Sequence, residues 1–200
     1  MAYTTIDDPS AHFKVKLYTG TGSSHAVTFD DTDTDMQPDL VWVATRNEAE
    51  ILPMMNSLSG TEKYLRTNAN DSEESDSNSI TAFGSDGFTM GSTDRVNQSS
   101  NTFVAWCWKA NGGAAAVSSN TNGSINTTKT SANTDAGFSV STYTGTGSNA
   151  TVGHGLGAVP EMLLFKKRNS VSEWLVYHKS FASDPETDYM VLHGTGALVD

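Results

Sequence analysis

The chain has 200 residues and a formal net charge of −11, from 12 Lys and Arg against 23 Asp and Glu. A chain of this charge repels phosphate backbones, which argues against nucleic-acid binding by charge neutralisation. Cys107 is the sole cysteine, so an intrachain disulfide and a cysteine-rich metal site are excluded. The length fits one large all-β domain or two small ones.

No apolar run approaches the roughly 18 residues that a membrane-spanning helix needs, so we expect no membrane insertion. Near the N-terminus, Asp7 and Asp8 stand where a secretion signal requires an apolar stretch. We therefore expect a protein made in a cytoplasm.

Short strand-like patterns run through the chain. The first, HFKVKLY at 12–18, alternates Phe13, Val15 and Leu17 with Lys14 and Lys16, which predicts a half-buried strand. A second alternation, FSVSTY at 138–143, predicts another.

Longer apolar runs indicate more deeply buried strands. DLVWV at 39–43 and EMLLF at 161–165 are typical of strands covered on both faces. FVAWCW at 103–108 predicts a central strand, in which Cys107 is a buried, unreactive thiol. Only the segment 48–58 suggests a helix, and Pro53 interrupts it.

Two polar stretches separate these elements. The acidic segment 68–79 predicts an exposed loop with few long-range contacts. The segment 109–135 is rich in Gly, Ala, Ser, Thr and Asn and predicts a connector, in which Ile125 would add one short strand.

The hexapeptide YTGTGS occurs at 18–23 and again at 143–148. The decamers PDLVWVATRN at 38–47 and PEMLLFKKRN at 160–169 follow it, and then EKYL at 62–65 and TDYM at 187–190. Three landmarks in one order with nearly constant spacing predict a duplicated unit, with Tyr18–Leu65 superposing on Tyr143–Met190.

We therefore predict an all-β chain of tandem β-sandwich units. Residues 1–110 form the first unit, 111–134 the connector and 135–200 a second, incomplete unit. The second unit lacks a counterpart of FVAWCW, and open sheet edges promote association. We expect the second unit to be completed in one of two ways. The missing strand comes either from a neighbouring subunit of a homo-oligomer, for which we expect a trimer, or from further residues of a longer polypeptide.

Several of these motifs together resemble a family of repeat-containing virion proteins from marine bacteriophages. They are the opening MAYTTIDDPSAHFKVKLYTGTG, the decamer PDLVWVATRN, the closing FVAWCWKANGG, and YTGTGSNATVGHGLGAVPEMLLFKKRN with the later W.VYH. The resemblance covers essentially the whole chain. It implies lectin-like or jelly-roll-like sandwiches in a virion protein (tail fibre, appendage or head fibre) that contacts other virion proteins, and it implies no known activity.

Two motifs invite a ligand interpretation. Asp31, Asp33 and Asp35 have the spacing of a calcium loop, but Met36 and Trp42 stand where an EF-hand needs Gly and Glu. A looser calcium site and a solvated acidic hairpin loop both remain open, and the second is favoured. GHGLG at 153–157 lacks the Lys-Ser/Thr of a phosphate loop and predicts a tight turn with positive φ.

No catalytic pattern is present. The five histidines fit no metal-ligand spacing, no Gly-x-Ser-x-Gly elbow occurs, and the acids cluster in polar loops. We expect a protein that is not an enzyme and uses no cofactor or metal. A glycan hydrolase, the third interpretation, would require sugar release by the isolated protein.

Aromatic residues provide the candidate binding sites. Trp106 and Trp108 share one strand face, and on an open face they would form a platform for stacking sugar rings. Burial in a core or a subunit interface is the favoured alternative. A carbohydrate-binding module or adhesin of a bacterial cell surface is thus the second functional hypothesis, with a surface glycan as ligand. The candidate glycan or interface aromatics are Trp106, Trp108, Trp174 and Tyr177.

Overall fold

The computed structural model describes residues 6–29, 32–111, 118–181 and 184–200. The fold class is all-β, as the sequence predicts, with 38% strand and 4% helix. Besides the strands, the described residues contain a 3-10 turn at Pro9–Ala11 and one short helix, α1, at Asp94–Asn97. The strands are β1 (Phe13–Thr19), β2 (His25–Thr28), β3 (Leu40–Thr45), β4 (Pro53–Asn56), β5 (Lys63–Arg66), β6 (Glu74–Ser75), β7 (Ile80–Gly84), β8 (Gly87–Met90), β9 (Thr102–Trp108), β10 (Lys129–Asn133), β11 (Phe138–Thr142), β12 (Met162–Lys166), β13 (Trp174–His178) and β14 (Met190–Val191).

The first part of the chain forms two packed antiparallel sheets. The larger has the strand order β1-β9-β3-β4-β5-β6, and the smaller has the order β2-β8-β7. Val41 and Met55 of the large sheet share a buried cluster with Val27, Phe88 and Met90 of the small sheet. This arrangement is a two-layer sandwich, in which each sheet buries one face against the other.

The strand β9 is the centre of the large sheet, as predicted. It pairs along its whole length with β1 on one side and with β3 on the other. Phe103, Ala105 and Cys107 point into the sandwich and are fully buried. Burial raises the pKa of the Cys107 thiol, which agrees with the prediction of a buried cysteine.

The strand β1 is a strand as predicted, but its apolar side chains face outward. Val15 is 50% and Leu17 56% exposed, whereas Lys14 is buried. The register with β9 explains this orientation, because Val15 lies opposite Trp106 on the outer face. On the inner face, the Lys14 ammonium lies 5.3 Å from the centre of the Phe29 ring, an arrangement that suits a buried cation.

The segment 48–58, whose sequence suggests a helix interrupted by Pro53, is not helical. Pro53 instead begins the strand β4, in which Met54 and Met55 are buried. A proline at the first position of a strand leaves the rest of the hydrogen-bond ladder intact. The short helix α1 was not foreseen.

The later part of the chain contains a hairpin, β10-β11, and a three-stranded sheet, β12-β13-β14. The strand β10 lies inside the segment 111–134 that the sequence assigned to a connector, and residues 112–117 lie outside the described part. Ile125 makes one parallel bridge with Val152, in agreement with a short extended contact at that position.

The sheet β12-β13-β14 has the same strand pairing as β3-β4-β5. Leu40 pairs with Asn56 in the first sheet, and Met162, 122 positions later, pairs with His178 in the second. Met54 pairs with Leu65, and the corresponding Val176 pairs with Met190.

The correspondence between the two sheets includes the next pairing along the chain. It does not include the segments that follow the two YTGTGS hexapeptides. Tyr64 pairs with Glu74 in β6, and Tyr189 pairs with Val199. By contrast, β2 pairs with β8, while Val152, at the corresponding place, meets Ile125. The matched registers support the hypothesis of a duplicated sheet; superposition of the whole units stays a prediction.

The second sheet is open where the first is covered. Among the described residues, β12 pairs only with β13, and no second layer of strands lies over it as β2-β8-β7 lies over β3. Met162 is 53% and Phe165 41% exposed, whereas Val43, the counterpart of Phe165, is fully buried. The expectation that 161–165 is covered on both faces was therefore wrong for the described part of the chain.

The acidic segment 68–79 is not a solvated loop, and that expectation was also wrong. It contains β6 and makes ion pairs with arginines outside the segment: Glu74 with Arg66, and Asp76 with Arg95. Each carboxylate that turns toward the protein meets a guanidinium, which compensates for its partial removal from water.

Replacing Phe103 by Ala should lower the free energy of unfolding by about 3–5 kcal/mol, because the substitution opens a cavity in the middle of the sandwich. Urea denaturation followed by circular dichroism measures the change. The control is Leu17→Ala on the exposed face of β1, which should change stability by less than about 1 kcal/mol. Equal losses for the two variants would contradict the described orientation of β1 and β9.

Candidate binding surfaces

The outer face of the large sheet carries an apolar strip. Val15 and Leu17 of β1 lie beside Val104 and Trp106 of β9, because the register places Val15 opposite Trp106 and Leu17 opposite Val104. Both β1 side chains are at least half exposed, and those of β9 are partly exposed. We call these four residues the outer strip. The sequence alone did not predict the outer strip, because the alternation with lysines in 12–18 suggested that the apolar side of β1 faces the core.

The two tryptophans of β9 differ in access. Trp108 has aromatic neighbours on two sides: the ring centroid of Phe13 is 4.9 Å away, and that of Phe138 is 6.1 Å away at an interplanar angle of 23°. Trp106 has one aromatic neighbour, Trp42, at 6.0 Å and a tilt of 59°. Trp106 is therefore the better placed of the two for stacking against a ligand.

Trp174, one of the candidate glycan or interface aromatics, is not available for stacking. It is 3% exposed and packs against Met54 and Leu65. Its indole Nε1 donates a hydrogen bond of 2.8 Å to the carbonyl oxygen of Arg66. Trp174 thus holds the second sheet against the outer face of β4 and β5.

Tyr177 lies in a different place, on the face of the second sheet that points away from Trp174. The register pairs Leu163 with Tyr177 and Phe165 with Leu175, so these four side chains share that face. They line an open apolar groove whose remaining wall includes Val159, Asp188 and Tyr189. We call it the β12 groove.

A clasp of polar contacts joins the acidic segment to the residues that follow β12. The Arg168 guanidinium donates hydrogen bonds of 2.7 and 2.8 Å to the two carboxylate oxygens of Glu73, and the Glu73 backbone N–H donates to the Arg168 carbonyl oxygen at 2.7 Å. Lys166 Nζ donates to the carbonyl oxygens of Asn70 and Ser172. Burial lowers the pKa of Lys166, while Asp71 and Glu173 act in the opposite direction.

The two ligand-like motifs have simple local structures. Asp33 and Asp35 are exposed, and Asp31 lies outside the described residues. In the described ranges, no three or more His, Cys, Asp or Glu side chains come together to hold a metal ion.

Gly155 and Gly157 have φ of 79° and 72°, which confirms the predicted tight turn, and Gly153 packs closely against Asn120.

A family model matches the chain over residues 8–200, and its description is a domain of unknown function, DUF7483. The chain belongs to this family. No curated protein and no solved structure matches the chain. The family match covers both β3-β4-β5 and β12-β13-β14, so the two similar sheets lie within one DUF7483 unit. In the described part of this unit, no helix is long and apolar enough to cross a membrane.

Breaking the clasp should cost little energy but show a measurable coupling. In a double-mutant cycle with Glu73→Ala and Arg168→Ala, we expect a coupling energy of about 0.5–1 kcal/mol, because Arg168 is partly exposed and solvent screens the pair. Urea denaturation of the four proteins measures it. The more exposed pair Glu161–Lys179 is the control, with a smaller expected coupling. A larger coupling for the control pair would contradict the clasp.

Proposed function

We propose that the protein is a structural component of a bacteriophage virion (a tail fibre, appendage or head fibre) that acts through assembly and has no enzymatic activity. The observation that carries this proposal is the amount of apolar surface that the described residues leave uncovered on two separate sheet faces, the outer strip and the β12 groove. Contiguous apolar surface on a folded protein marks sites of macromolecular contact. The phage setting comes from the sequence resemblance.

The geometry favours contacts with protein over contacts with small molecules. Both surfaces lie on flat or shallow sheet faces, and β1 and β12 each have one partner strand in the described part of the chain. An edge strand presents unpaired N–H and C=O groups to which another chain can add. A homo-oligomer, such as the trimer expected from the sequence, and contacts with other virion proteins would use these features.

Mass spectrometry of purified particles tests the proposal. Peptides of this chain should be recovered from virions in a constant ratio to the major structural proteins, after washing with high salt. Recovery only in the soluble fraction of infected cells would contradict a virion role. Release of sugar from glycans by the isolated protein would contradict the proposed absence of enzymatic activity.

A second function, binding of a host-surface glycan, is favoured by the position of Trp106. Its partly exposed indole lies on an open sheet face, and sugar rings stack on such surfaces. In this case Trp106→Ala should abolish binding on a glycan array, while Leu17→Ala, which removes apolar surface but no aromatic ring from the same strip, should retain it. Equal loss in both variants, or no binding by the unchanged protein, would count against glycan recognition.

A further inference from the structure

The β12 groove corresponds to the buried core face of the first sheet. The shared register makes Phe165 the counterpart of Val43 and Leu175 the counterpart of Pro53. Val43 and Pro53 are fully buried, whereas Phe165 is 41% and Leu175 38% exposed. The second sheet therefore presents to solvent the face that the first sheet buries.

In the first sheet, the layer β2-β8-β7 covers this face, and a neighbouring strand of the same sheet occupies the edge of β3. Beside β3 lies β9, antiparallel, with Val41 paired to Cys107 and Val43 to Ala105. The inward side chains of β9 are apolar, and the strand Thr102–Trp108 carries no charge. At the corresponding edge of β12, no strand of the described chain is paired.

We propose that the free edge of β12, which borders the β12 groove, is the acceptor site for an uncharged, apolar β-strand of the β9 type, contributed by another repeat unit and added antiparallel to β12. The β9 strand of a second copy is not such a donor, because Phe103 to Trp108 are paired on both sides within its own sandwich. This mode of binding combines main-chain hydrogen bonds along the edge with contacts between the apolar side chains of the added strand and those of Leu163 and Phe165.

The alternative occupant is a second copy that pairs through its own β12. Antiparallel pairing centred on Leu164 would place Glu161 of each copy opposite Lys167 of the other, a favourable charge arrangement. In the first sheet the edge of β3 is occupied by β9 and not by a second β3, and this correspondence favours an added strand over self-pairing. Self-pairing would appear as a dimer of the free protein and is treated as a result that overturns the proposal.

The test uses the full chain and a fluorescein-labelled synthetic peptide of residues 101–109 carrying Cys107→Ala, with binding followed by fluorescence anisotropy. We expect saturable binding. A peptide with Ala105→Pro should not bind, because proline interrupts the strand ladder. Absence of saturable binding, or binding of both peptides alike, would overturn the proposal.

Two matched variants of the protein locate the site. Phe165→Asp should weaken peptide binding by about tenfold or more, because a charge in the groove must lose its water. Leu164→Asp changes the opposite face of the same strand at a similar exposure, 37%, and should stay within about threefold of the unchanged protein. Similar effects of the two changes would overturn the proposal. Val159→Asp, at an 86% exposed rim position, gives the same readout should Phe165→Asp fail to fold.

This inference deepens the proposed assembly role and rests on it for the biological donor, but the two can fail separately. A protein recovered in virions that does not bind the peptide would retain its structural role and lose this acceptor site. A protein that binds the peptide but is absent from virions would retain the acceptor site and lose the virion role. A dimer of the free protein in analytical ultracentrifugation, dissociated by Phe165→Asp, would assign the groove to self-association.

Discussion

The antiparallel pairing of β9 with both β1 and β3 is the constraint on which the rest of the sandwich depends. It places residues 103–108 between two strands from earlier in the chain, so the middle of the large sheet is complete only with β9. The same register decides which side of each strand is buried. A strand has only two faces, and with Phe103 inside, Trp106 must lie outside, together with Val15.

The second sheet shows how the fold depends on that strand. It has the strand pairing of β3-β4-β5-β6 and packs through Trp174 on the outer face of the first sheet. Without a counterpart of β9 or of β2-β8-β7 among the described residues, its other face remains open at Phe165 and Leu175. Sheet formation and core formation are thus separable here: the hydrogen-bond ladder is present, and the apolar layer that would cover it is absent from the described residues.

Pattern alone predicted the all-β class, strands at 12–18, 39–43, 103–108 and 161–165, and the buried Cys107, because these depend on local alternation and apolar content. It failed where a distant partner decides. The lysines of β1 led to a wrong prediction of which side of the strand is buried, because only the register with β9 places Lys14 beside Phe29. The acidic segment appeared solvated because nothing local reveals that Arg168 binds Glu73. Trp174 could not be separated from exposed tryptophans, since its burial depends on Met54 and Leu65.

The central claim is that β12 is an open edge strand with the fold of the covered strand β3. Hydrogen–deuterium exchange of the free protein compares the two strands directly, because protection requires both a hydrogen-bond partner and exclusion of water. We predict that backbone amides of 41–43 remain protected after those of 163–165 that point away from β13 have fully exchanged. Equal, slow exchange in both strands would contradict the account, because it would mean that β12 already has a second partner in the free protein.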